Sequence, residues 1–310
     1  MMGVFVFLPL VLPLTAWPIA RLAEQHLHPR AATLLLTGAA AVLAVCSTLC
    51  LALLMVVGTA QLPGNPLPDG WADPEVREAV PYDEVLGVAA IPVLNAVAGG
   101  CALTLWRHRR MRRRLRRALD GLPGTQVAVL PDETPYAHAL PGGRGRIVVS
   151  AGMLAALEPR ERRALFAHER VHLTARHHRL LLVVQLAARA NPFLRPLRTA
   201  VFFGVERWAD EEAARAVGDR RLVARAIGRA ALVSAAAPAP AFAGFASPGP
   251  VPRRVRALLA PEPPARVWPP ARTAAGLAAW AAAMGTAASA FSSANAAVAL
   301  FLVLRAATPL

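Results

Sequence analysis

Residues 31–60 read AATLLLTGAAAVLAVCSTLCLALLMVVGTA, without a single charged side chain. A helix of about 20 apolar residues spans the hydrocarbon core of a bilayer, so this stretch predicts a transmembrane helix. Similar runs lie at residues 4–20, 85–106 and 274–304. The expected fold class is therefore a mainly α membrane protein with about four transmembrane helices.

Two of these runs leave alternatives open. Residues 4–20 resemble the apolar part of a signal peptide, but no basic segment precedes them, which favours a retained helix. Residues 274–304 carry Ser292, Ser293 and Asn295 in their middle. One long tilted span is the favoured interpretation there, and a pair of short re-entrant segments is the alternative.

The overall composition agrees with a membrane protein. The chain has 310 residues, of which 55% are hydrophobic and 17% charged, and its formal net charge is +15. Intrinsic disorder requires low hydrophobicity and is excluded. The densest basic block, residues 107–117 (RHRRMRRRLRR), directly follows an apolar run and lacks interleaved aromatic residues. It therefore indicates contact with anionic lipid headgroups rather than with nucleic acid.

The same basic block predicts the orientation in the membrane. Cytoplasmic segments are enriched in Lys and Arg, which places residues 107–117 inside the cell. The loop between the second and third runs is acidic and is expected outside. We expect a multi-pass cell-membrane protein with an N-terminal membrane domain (1–106), a cytoplasmic domain (107–271) and a C-terminal transmembrane segment (272–310).

The region 107–271 contains the motif His168-Glu169-Arg170-Val171-His172. On a helix, residues four apart lie on one face, so His168 and His172 can bind one metal ion. Glu169 lies about 100° away around the helix and can reach the open coordination position without ligating the ion. Zinc acts as a Lewis acid and lowers the pKa of its bound water. Glu169 is then the candidate general base.

A second acidic motif supplies a third candidate ligand. Glu206 and Asp210 are again four residues apart. Glu206 would complete a His₂Glu ligand set, and Asp210 could accept the second N–H group of a ligating histidine. A solvated acidic helix face is the alternative, because Glu211 and Glu212 follow directly. His177 and His178 are interpreted as cations at the C-terminal end of a helix, and a catalytic role is the alternative.

Five segments together resemble the integral-membrane gluzincin zinc metallopeptidases, which include the HtpX/Ste24 type and the protease portion of BlaR/MecR-type sensors. The matching segments are 137–143 (AHALPGG), 146–150 (RIVVS), 166–172 (FAHERVH), 206–210 (ERWAD) and 253–259 (RRVRALL). The resemblance implies a zincin-like α+β metalloprotease domain with a small β-sheet and one Zn²⁺ per chain. It also implies that His168, His172 and Glu206 are ligands and that Glu169 is the base.

The resemblance further implies endopeptidase chemistry on a polypeptide substrate that is held along an edge strand. Residues 147–150 run directly into the zinc helix, which makes them the expected edge strand. The residue that stabilises the oxyanion is undecided between Arg215, Arg220 and Arg221. The competing function is a non-catalytic membrane signalling or scaffold protein with a structural or vestigial zinc site. The sequence does not indicate the oligomeric state.

Overall fold

The computed structural model describes residues 2–73, 76, 83–119, 125–141, 145–235, 251–263, 270 and 272–308. This part of the chain is mostly helical and contains one three-stranded sheet. The helices are α1 (Met2–Val11), α2 (Ala16–His26), α3 (Pro29–Ala60), α4 (Val88–Leu119), α5 (Ala151–Ala156), α6 (Pro159–Thr174), α7 (His177–Ala190), α8 (Arg195–Val217), α9 (Arg220–Ala235), α10 (Val251–Leu259) and α11 (Ala274–Ala306). The strands are β1 (Val127–Leu130), β2 (Ala137–Leu140) and β3 (Arg146–Ser150).

Three helices are long and apolar enough to cross a membrane: Pro29–Ala60, Val85–Arg114 and Ala274–Ala306. They coincide with three of the four apolar runs in the sequence, which confirms a mostly helical protein with several candidate spans. The last of them is one unbroken helix, α11, in which Ser292 and Ser293 are buried. The run at 274–304 therefore forms a single helix rather than two short segments.

The first apolar run, residues 4–20, is not one continuous α-helix. Helix α1 is followed by a 3₁₀ turn at Leu12–Thr15 before α2 begins. Proline lacks an N–H group, and its ring clashes with the preceding helical turn. Pro9, Pro13 and Pro18 lie along this stretch and account for its division. A fourth transmembrane span remains a prediction.

The arginine-rich end of α4 lies beside α7, since Cys101 contacts the carbonyl of Leu186 and Arg112 lies close to His178 at the start of α7. The C-terminal end of α3 lies close to the start of α4, since a Cβ on Gly58 would collide with the backbone of Gly87. The end of α11 lies there too, since Nε1 of Trp71 donates to Oγ1 of Thr308 at 3.0 Å. The acidic loop expected at this end lies partly outside the described residues.

One hydrophobic core joins α3 to the helices that carry the candidate site. Buried side chains of α2, α3, α7 and α8 form this core, among them Leu36 and Val184. Helix α8 approaches α3 closely at Gly204, where a Cβ would lie 2.5 Å from Oγ1 of Thr33. The apolar segment 180–205 thus belongs to two helices that pack on α3. The division of the chain into three domains stays a prediction.

The sheet has the order β1-β3-β2, with β1 parallel and β2 antiparallel to β3. Strand β3 is therefore central, and the expectation that residues 147–150 form a free edge is wrong. The reason is that 137–140 (AHAL), which is poor in β-branched residues, also forms a strand and pairs with it. Strand β2 is the edge that contacts α6, the helix that carries His168 and His172.

The register of β2 determines which of its backbone groups are free. The N–H of Ser150 donates to the carbonyl of Tyr136 at 3.0 Å, so these two residues form a hydrogen-bonded pair. Bonded and non-bonded pairs alternate along an antiparallel ladder. The backbone groups of Ala137 and Ala139 therefore point away from β3, towards the open edge.

Candidate metal centre

Helix α6 carries the two histidines of the motif. It begins with a capping box, in which the side chains of Glu158 and Glu161 bond to the first-turn backbone, followed by Pro159 at the first helical position. His168 and His172 lie one turn apart, and their Nε2 atoms are 3.1 Å from each other. The local helix alone thus brings two imidazole nitrogens to one point.

Helix α8 packs against α6 and brings Glu206 to the same point. One carboxylate oxygen of Glu206 lies 3.6 Å from Nε2 of His168, and the other lies 3.6 Å from Nε2 of His172. Candidate ligand atoms from these three residues all lie within 4.8 Å of one another. Glu206 is 34 positions beyond His172 (206 − 172), so this contact depends on tertiary packing.

The donor set and its spacing fit zinc. Zinc prefers imidazole nitrogen and carboxylate oxygen at about 2.0–2.1 Å, so two ligand atoms of a tetrahedral site lie roughly 3.3 Å apart. The separations of 3.1 Å and 3.6 Å lie on either side of this value. The three residues could therefore hold a zinc ion with only small side-chain adjustments.

Asp210 and Arg254 contact two of the candidate ligands, His168 and Glu206. Nδ1 of His168 lies 3.0 Å from Oδ1 of the fully buried Asp210. Arg254 donates from Nε and Nη2 to the two oxygens of Asp210, at 2.8 and 2.6 Å. Its Nη1 lies 2.8 Å from Oε2 of Glu206. Arg254 thus holds the candidate ligand Glu206 and the partner of His168 together.

These contacts change the pKa values of the site. Burial lowers the pKa of His168, but hydrogen bonds to Asp210 and Glu206 outweigh it and raise the pKa to about 10. His172 has no such carboxylate bond, and burial lowers its pKa to about 4. Burial would raise the pKa of Glu206, yet Arg254 and the two histidines hold it well below its usual range. The metal-free site therefore holds one charged and one neutral histidine at neutral pH.

Glu169 lies beside the ligands without joining them. Its side chain is buried, and it accepts a hydrogen bond from the backbone of Ala139 on β2. Burial raises the pKa of Glu169 to about 7, which is the range that suits a general base near neutral pH. Strand β2 thus contacts the candidate base directly.

His177 occupies a different place from the one expected. The sequence interpretation as a cation at a helix C-terminus is wrong, because His177 is the first residue of α7 and is fully buried. Its Nδ1 lies 2.9 Å from Nδ1 of His172, and burial lowers its pKa to about 3. Arg176 adopts a left-handed conformation (φ 52°) and turns the chain between α6 and α7. This turn places His177 beside His172.

Of the arginines considered for the site, two bond elsewhere. Arg215 pairs with Glu212, and Arg220 bonds to Glu211 and to the carbonyl of Ala257. Sequence reasoning missed Arg254 as the arginine at the centre, although 253–259 was among the segments of the family resemblance. Helix α10 contains three arginines, and nothing in the local sequence distinguishes Arg254 from the other two.

Comparison with protein-family models supports the same chemistry. The model of peptidase family M48 matches residues 102–195, which is less than a third of the chain. The match includes His168, Glu169 and His172 and ends before Glu206. Comparison with curated proteins and with solved structures gave no match. Members of this family are zinc metallopeptidases, so the match supports a metallopeptidase of the M48 type.

Proposed function

We propose that the chain is a membrane-embedded, zinc-dependent endopeptidase that hydrolyses peptide bonds of protein substrates. The observation that carries the proposal is the convergence of His168, His172 and Glu206 beside Glu169. A structural zinc site would satisfy its ligands without a buried carboxylate next to them, whereas a catalytic site keeps an open position and needs a base.

The residues divide the chemistry between them. His168, His172 and Glu206 would hold the zinc ion, which would polarise the scissile carbonyl and lower the pKa of a bound water. Glu169 would accept a proton from that water as its oxygen attacks the carbonyl carbon. Glu169 would then pass the proton to the leaving nitrogen as the C–N bond breaks, which leaves a carboxylic acid and an amine. The raised pKa of Glu169, about 7, suits both transfers.

The open edge of β2 is the proposed docking position for an extended substrate. The outward N–H and C=O of Ala137 and the outward C=O of Ala139 can pair with a peptide strand, whereas the N–H of Ala139 faces Glu169. The hydrogen bond from Ala139 to Glu169 places this edge next to the base. A peptide added here would therefore lie alongside the metal centre.

The proposed location of the site is the cytoplasmic face of the cell membrane. Arg112 of the arginine-rich segment 107–117 lies close to His178, which directly follows His177, the residue that contacts the candidate ligand His172. Positive residues favour the cytoplasmic side. Topology reporters placed after Arg117 and after Leu310 test this, and an external signal after Arg117 would overturn the orientation.

The test of the catalytic proposal uses the full-length protein in detergent. Metal content is measured by mass spectrometry, and cleavage is followed with an unfolded model protein. Glu169→Gln should retain zinc and lose roughly 10²–10⁴-fold in turnover. Glu262→Gln, at a side chain that is 64% exposed, is the control and should change neither quantity.

Two results would contradict the proposal. Full cleavage by zinc-loaded Glu169→Gln would show that Glu169 is not the base. Zinc bound by the wild-type protein without turnover of several unfolded substrates would favour the non-catalytic scaffold instead.

A further inference from the structure

We propose that His177 is a positioning residue that fixes the ring of His172 for metal binding. This inference rests on the proposed zinc site. His172 has two ring nitrogens with separate tasks: Nε2 faces His168 and Glu206, and Nδ1 faces His177 at 2.9 Å. The rings of His172 and His177 meet edge to face, with their centroids 4.8 Å apart and an interplanar angle of 84°.

The proton positions follow from this geometry. A histidine that binds a metal through Nε2 is neutral and carries its proton on Nδ1. Nδ1 of His172 then donates to Nδ1 of His177, which must be unprotonated at that atom. Two protonated Nδ1 atoms could not lie 2.9 Å apart without repulsion. His177 therefore carries its own proton on Nε2.

The surroundings of His177 hold it in this role. The side chain is 0% exposed, and its ring packs on Trp208 with centroids 4.7 Å apart. Trp208 also contacts Arg30 of α3, whose guanidinium carbon lies 5.4 Å from the Trp208 ring centroid. Among the described residues, Nε2 of His177 is buried without a hydrogen-bond partner. The single polar contact shown for this ring in the described structure is therefore the one to His172.

The Nδ1 atoms of the two motif histidines thus face different kinds of partner. His168 faces the carboxylate of Asp210, whereas His172 faces the uncharged ring of His177. A neutral acceptor orients His172 without adding a further negative charge to a site that already contains Glu169, Glu206 and Asp210. Loss of a partner behind a metal ligand typically costs 10–100-fold in metal affinity.

Zinc affinity of the purified full-length protein tests this inference, measured by competition with a chelator. His177→Phe keeps a planar ring but cannot accept a hydrogen bond, and it should lower zinc affinity roughly 10–100-fold. His177→Gln restores an acceptor and should recover part of the loss. His178→Phe is the control, because His178 is the half-buried neighbour that faces Arg112 and Arg179 instead of the metal centre.

A second measurement separates a loss of zinc affinity from a general loss of protein stability. The rise in melting temperature on adding zinc is compared with that of the wild type, so each variant serves as its own metal-free reference. A smaller rise for His177→Phe, with partial recovery in His177→Gln, supports the inference, and His177→Leu, which also lacks an acceptor, replaces His177→Phe if that variant does not fold. Wild-type affinity in both variants would overturn it. Absence of zinc binding by the wild type would instead overturn the proposed function.

Discussion

Arg254 and Asp210 form a buried two-pronged ion pair, with donor–acceptor distances of 2.8 and 2.6 Å, directly behind the candidate metal ligand His168. The pair joins α10 to α8, two helices whose link in the chain includes residues outside the described structure. Because Arg254 also contacts Glu206, one side chain stabilises the positions of a candidate ligand and of the partner of another.

Removal of Arg254 should destabilise the protein and weaken the site together. Arg254→Met leaves Asp210 buried without its cation, and breaking a buried pair in this way costs about 3–5 kcal/mol. Thermal unfolding in detergent and zinc affinity measure the two effects. Arg256→Met, at an exposed position on the same helix, should change stability by less than about 0.5 kcal/mol.

Arg254→Lys separates charge from geometry. Lysine keeps the positive charge but cannot donate two parallel hydrogen bonds to Asp210. We expect partial recovery of stability and a smaller recovery of zinc affinity. Equal stability of Arg254→Met and the wild type would show that this ion pair does not support the fold.

Zinc binding should release a proton near pH 8. His168 is protonated there in the metal-free protein, since its pKa is raised to about 10, and it must lose that proton to bind a metal. His172, with a pKa lowered to about 4, is already neutral and contributes none. Calorimetry in buffers of different ionisation enthalpy should report at least one proton per zinc, the one from His168, to which the zinc-bound water adds because its pKa is lowered, and affinity should rise with pH.

Glu169→Gln identifies the source of that proton. Glu169 has a pKa of about 7 and is mostly ionised near pH 8, so its replacement should leave the proton count unchanged. A count that falls to zero in Glu169→Gln would assign the proton to Glu169 and contradict the charged state of His168.

The close approach of α8 to α3 predicts an unfavourable substitution at Gly204. A Cβ there would lie 2.5 Å from Oγ1 of the buried Thr33, so Gly204→Ala should destabilise the protein by about 1–3 kcal/mol. Thr33→Ala removes that oxygen, and the double variant should regain most of the loss. Gly228→Ala on α9 is the control: no atom lies within 4 Å of its Cβ, and it should stabilise the helix by about 1 kcal/mol.

The measurement is the melting temperature of each variant in the same detergent. Gly204→Ala as stable as the wild type would contradict the packing of α8 on α3. A double variant no better than Gly204→Ala would show that Thr33 is not the obstructing side chain.

The open edge of β2 predicts an effect on substrate binding alone. Ala137→Pro removes an N–H that points away from β3, so the sheet should keep its ladder. One backbone hydrogen bond to an extended substrate would be lost, which is worth about 1 kcal/mol. KM for an unfolded protein should therefore rise roughly fivefold, with zinc content unchanged.

Val129→Pro tests the opposite edge of the sheet. Val129 lies on β1, and its N–H points away from β3 because the carbonyl of Gln126, three residues earlier, accepts from Ile147. This variant should leave KM unchanged. An increase in KM for Val129→Pro alone would place the substrate on the β1 edge.

Local patterns in the chain were sufficient for part of this structure. Four long apolar runs predicted about four continuous helices, and three of them form one, because helix length and hydropathy are properties of consecutive residues. The spacing of His168 and His172 predicted one shared helix face for the same reason. Glu206 and Asp210 were selected as candidates by their own four-residue spacing, and both lie next to His168.

The remaining features depend on contacts between distant segments. Strand β2 has little β-propensity and is a strand because it pairs with β3. His177 becomes a partner of His172 because Arg176 turns the chain, and Arg254 reaches Asp210 because α10 docks near α8. The sequence by itself determined the long apolar helices and selected the candidate ligand residues, since both follow from local periodicity. Only the tertiary structure decided the edge strand and the groups behind the ligands, since burial and pairing select among residues that look alike in the chain.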